Sequence, residues 1–78
     1  MTSFDPKLNV QAVDDEIVIT LLGTDYSVTY YKPENSHGLL AKRIADKDDP
    51  RIQMTVAEFL TKAWKAANDK ARELGWIV

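Results

Sequence analysis

Two hydrophobic periods divide this chain. From residue 8 to residue 31 apolar positions alternate with polar or β-branched ones: Leu8, Val10, Ala12; then Ile17, Ile19, Leu21; then Tyr26, Val28, Tyr30. Period two is the pattern of strands half-buried in a sheet. From Val56 onward the period becomes helical, with Val56, Phe59, Leu60, Ala63, Trp64, Ala67, Ala71 and Leu74 on one stripe.

The turns between the strands decide which side chains share a face. Read as a two-residue turn, Asp14-Asp15 sets Leu8, Val10 and Ala12 opposite Leu21, Ile19 and Ile17. A two-residue loop at Gly23-Thr24 or Thr24-Asp25 brings Tyr26, Val28 and Tyr30 onto that same face. A three-residue loop would instead align them with Val18, Thr20 and Leu22 and split the apolar set. Burial therefore selects even loops and predicts a three-stranded antiparallel meander, order 1-2-3, with Ile17 to Leu22 in the centre. So small a sheet needs a cover on its apolar face.

The C-terminal helix is that cover. Thr55 at the N-cap with Glu58 three residues on forms a capping box, and Gly75 after Leu74 supplies the left-handed turn that ends a helix. Alanines at 63, 67 and 71 centre the stripe and allow close approach to the sheet, with Phe59 and Trp64 clamping its edges. Between sheet and helix, Leu39, Leu40 and Ile44 predict a short connector helix over 36–46, started by Asn35 or Ser36. Asp46 to Pro50 reads as a turn, because proline excludes helix at the residue before it. Ile52 and Met54 are expected to anchor this stretch to the core. The predicted fold is α+β: three strands, a short connector helix and a long C-terminal helix, as one domain over 1–78.

Composition narrows the chemistry. There is no cysteine, which removes disulfides, thiolate nucleophiles and cysteine zinc sites. The start of the chain has neither a basic n-region nor an apolar h-region, and no apolar run is long enough to span a bilayer, so a soluble, cytoplasmic protein is expected. Net charge is -2 but unevenly spread. Up to Ala41 two basic residues (Lys7, Lys32) face six acidic ones, while the remainder carries eight basic against six acidic.

Catalytic motifs are missing. The single histidine, His37, stands beside Ser36 and Gly38 with no carboxylate identifiable as its orienting partner. Asp46, Asp48 and Asp49 loosely resemble a calcium loop, but Arg51 falls where the loop needs glycine and Ala57 where it needs the closing glutamate. The three glycines are isolated, so none forms a phosphate-cradling loop. A non-enzymatic protein without metal or cofactor is expected.

Two binding surfaces remain. The sheet's outer face carries Asn9, Gln11, Val13, Val18, Thr20, Leu22, Ser27, Thr29 and Tyr31, and its Val18, Thr20, Thr29 and Tyr31 form the expected protein-binding patch. Strands 1 and 3 would leave open edges, so a homodimer is the first partner to consider. The alternative is a nucleic-acid-binding module using Lys42, Arg43, Lys47 and Arg51, with Tyr30-Tyr31 for stacking. The interleaved Asp46, Asp48 and Asp49 oppose it.

Overall fold

The computed structural model describes residues 7–44, 50–52 and 54–77. Its elements are β1 (Leu8–Val13), β2 (Glu16–Leu21), β3 (Ser27–Tyr31), β4 (Leu40–Ile44) and α1 (Val56–Glu73). The four strands form one antiparallel sheet in the order β1-β2-β3-β4. The α+β class stands, but with four strands where three were expected and one helix among the described residues where two were expected.

The register follows the parity of the turns. Leu8 lies opposite Leu21, Val10 opposite Ile19 and Ala12 opposite Ile17, around a two-residue turn at Asp14-Asp15. Asp14 takes a positive φ of 55° there, a conformation that aspartate tolerates better than most residues. On the other side Ile17 meets Tyr30 and Ile19 meets Val28. The connecting loop has four residues, 22–25, rather than two: the Leu21 amide donates to the Tyr26 carbonyl at 3.1 Å. Thr24 closes it, its hydroxyl donating to the Leu21 carbonyl at 2.8 Å and accepting from the Tyr26 amide at 3.0 Å. Four is also even, so the apolar set stays on one face.

That face is the core. Ile17, Ile19, Leu21, Tyr26, Val28 and Tyr30 are buried against Phe59, Ala63, Ala67 and Ala71 of α1. The helix lies chiefly over β2, touches β1 and β3, and does not reach β4. Phe59 packs on Tyr26 and Trp64 on Tyr30, each with ring centroids 5.6 Å apart, so both rings grip the β3 side of the sheet. Burial holds the Tyr30 hydroxyl above the ordinary phenol range. The Tyr26 hydroxyl donates to the Met54 carbonyl at 2.9 Å, which ties the stretch before α1 to the base of the β2–β3 loop. Met54 is buried and Ile52 partly so, the anchoring expected of them.

Both helix ends take their expected forms. Thr55 caps the N-terminus with Glu58 reciprocating. At the other end the Gly75 amide donates to the Arg72 carbonyl and the Trp76 amide to the Ala71 carbonyl, with Gly75 at φ 81°. This is the paired 5→2 and 6→1 arrangement of a Schellman motif.

The predicted connector helix is not formed: residues 40–44 are strand β4, paired with β3. Leu39, Leu40 and Ile44 satisfy a helical spacing, but Leu39 is buried while Leu40 and Ile44 stay half exposed. A helix this short is marginal alone, and it would leave the β3 edge with unpaired backbone groups; a fourth strand satisfies them. Ser36, proposed as a helix cap, instead closes a local turn, its hydroxyl bonding both the amide and the carbonyl of Gly38. The pairing slips by one residue between Val28 and Thr29: Thr29 faces Lys42, Val28 faces Ile44, and Arg43 bulges between them at φ 54°.

Because Ala67 is wholly buried at the helix–sheet contact, Ala67→Leu is expected to destabilise the protein by about 1–3 kcal/mol through overpacking. Chemical denaturation measures this. Unchanged or increased stability would mean that helix and sheet are not in close contact.

Candidate functional site

The face of the sheet opposite α1 is built as rungs across the strands. One runs Gln11, Val18, Thr29, Lys42; the next runs Val13, Glu16, Tyr31, Leu40. Toward the β2–β3 loop come Asn9, Thr20 and Ser27, then Leu22, whose amide donates to the Lys7 carbonyl at 3.1 Å. The four residues expected to form the contact patch thus lie together, with Val18 directly opposite Thr29. Their exposures differ. Thr29, in the middle of the sheet, is 6% exposed and forms the floor, whereas Val18, Thr20 and Tyr31 are half-buried.

The strongest apolar exposure lies around them. Val13 is 49% exposed, Leu22 58% and Leu40 50%. Val13 and Leu22 are predicted outer-face positions. Leu40 is not: it joins the face because 40–44 is a strand, and Leu-Ala-Lys-Arg-Ile carries no alternation that would have announced one.

One charged cluster crosses this surface. Lys42 on β4 forms an ion pair with Glu16 on β2, passing over the Tyr31 ring with its ammonium 5.5 Å from the centroid. Arg43, next along, reaches the other Glu16 oxygen at 3.5 Å. The hydrogen bond from Lys42 holds the Glu16 carboxyl below its ordinary range; desolvation opposes this, and the positive charges of Lys42 and Arg43 reinforce it.

The cations of the nucleic-acid alternative do not all gather in one place. Lys42 and Arg43 converge on Glu16. Arg51 lines a shallow cleft of about 430 Å³ with Gly23, Thr24, Asp25 and Ile52, at the opposite end of the sheet. Lys47, with Asp46, Asp48 and Asp49, lies outside the described residues. Tyr30 and Tyr31 point to opposite faces, so a shared stacking platform is not available: Tyr30 is in the core and Tyr31 is on the outer face. His37 is exposed, while its neighbour Ser36 is engaged with Gly38. Among the described residues no three His, Cys, Asp or Glu side chains come together as a metal site, and no helix is long and apolar enough to cross a membrane.

Comparison with protein-family models, with curated proteins and with solved structures finds no match to this chain.

The lowered pKa of Glu16 yields a directional test. A carboxyl whose pKa is lower in the folded protein contributes stability above its unfolded value, and that contribution is lost as pH falls through the folded one. In K42Q, carboxyl-detected NMR should show Glu16 titrating closer to the ordinary carboxylate range than in the wild type. An unmoved Glu16 titration would show that Lys42 does not hold it.

Proposed function

We propose that this is a non-enzymatic, cytoplasmic interaction protein that binds a protein partner through the outer sheet face, with Val18, Thr20 and Tyr31 as contacts and Thr29 as their floor. The observation that carries this reading is the ring of half-exposed Val13, Leu22 and Leu40 around the patch, on a face that α1 leaves uncovered. Apolar side chains bordering a polar but poorly solvated centre suit a surface that sheds water onto another protein. Glu16 pairs with both Lys42 and Arg43 and cancels one of their two positive charges, which favours a protein over a nucleic acid, whose affinity depends on several net cationic contacts.

Photo-crosslinking in the native cell tests the proposal. A benzophenone amino acid in place of Leu22 or Leu40 should give a discrete adduct, and the same group at exposed Lys65 on the helix should not. Tyr31→Ala should weaken the Leu40 adduct. Equal labelling from Lys65, or no adduct from either face position, would contradict the proposal.

A further inference from the structure

The two outer strands of the sheet are protected very differently. β4 is interrupted by the bulge at Arg43 and carries Lys42 and Arg43 side by side. Bulges and basic side chains are the usual means of keeping an edge from pairing. β1 has neither: its six residues pair with β2 without a register shift, and Leu8 to Val13 contains no charged residue and no proline.

The phase of the β1 hydrogen bonds shows which backbone groups are turned outward. The Leu22 amide bonds the Lys7 carbonyl, so Lys7 and Leu22 form a hydrogen-bonded pair. Such pairs alternate along an antiparallel ladder, so Lys7, Asn9, Gln11 and Val13 direct their backbone groups toward β2. Leu8, Val10 and Ala12 direct theirs away from the sheet, and no other described strand meets them.

We infer that β1 is a self-pairing edge, joining two copies of this chain about a two-fold axis into one continuous sheet. The sequence of β1 is compatible with its own reverse. Centred on Val10, an antiparallel pair sets Val10 against Val10, Leu8 against Ala12 on the helix side, and Asn9 against Gln11 on the outer side. No like charges meet, and the outward amides and carbonyls of Leu8, Val10 and Ala12 find partners. A β4–β4 pair would instead bring Lys42 and Arg43 against their own copies at a bulged edge. The same bulge blocks β1 of one copy from adding to β4 of the next, so association closes at two rather than running on as a filament.

The pairing goes beyond the proposed binding face and does not depend on it, although it would merge two such faces into one. Because strand pairing alone makes a small interface, the dimer should depend on concentration across the micromolar range.

Ala12 is the position for the test: it is exposed and the phase of the ladder turns its amide away from β2, so proline there removes an outward donor without breaking a β2 bond. Sedimentation equilibrium should show the wild-type mass doubling from low to high micromolar concentration. It should stay monomeric in A12P and in A12K, with unchanged circular dichroism, and should still double in Tyr31→Ala. Amide exchange at Leu8, Val10 and Ala12 should slow on concentrating the wild type. If A12P fails to fold, A12K and the exchange measurement decide. A wild type that stays monomeric at high micromolar concentration overturns the inference, as does a dimer that survives both Ala12 variants. A dimer lost in Tyr31→Ala but kept in A12K also overturns it, and in that case the outer face itself is the binding surface.

Discussion

An even number of residues in each of the first two hairpin loops holds this fold together. Side chains alternate along a strand, so one residue more or less in either loop would turn a neighbouring strand over and place its apolar set in water. Two residues at Asp14-Asp15 and four at 22–25 keep Ile17, Ile19 and Leu21 on the face of Tyr26, Val28 and Tyr30. Everything that α1 buries follows from that shared face. So does the identity of the opposite face, where Val18, Thr20, Thr29 and Tyr31 are left together because their neighbours in sequence are in the core.

The helix turns this face into a stable core by approaching it closely. Ala63, Ala67 and Ala71 present almost no side chain at the contact, which lets Phe59 pack on Tyr26 and Trp64 on Tyr30 beside them. In a domain of this size each such contact is a large share of the total stability. The Tyr26 hydroxyl adds a directional tie between the sheet and the stretch that leads into α1. With the apolar budget concentrated on the helix side, the outer face holds its place through backbone pairing and the bridge from Lys42 to Glu16 across Tyr31.

The parts of the fold that obey a local rule were legible in the sequence. The capping box at Thr55 and the glycine stop at Gly75 are complete signals within a few residues, and the three-strand register follows from alternation and loop parity. β4 was not legible. Leu40 and Ile44 in it fit a helical spacing with Leu39 just before it, and what makes the segment a strand is the unpaired edge of β3, a tertiary condition that five residues do not encode. The same omission hid Leu40 and Lys42 from the candidate surface and misassigned the open edge: β3 is paired, and β1 and β4 are the outer strands. The length of the β2–β3 loop was also misread, since Thr24 closes four residues as readily as two, but parity made the error harmless to the faces.

Cysteine accessibility tests the central claim most directly, because the chain has no cysteine of its own. Single substitutions V18C, I19C and T20C place a thiol on alternate faces of β2, and their reaction with a thiol reagent can be timed under native conditions. The account predicts labelling at positions 18 and 20 that is much faster than at 19. Fast labelling at 19 with protection at 18 and 20 would mean that the helix covers the other face, and the account would fail.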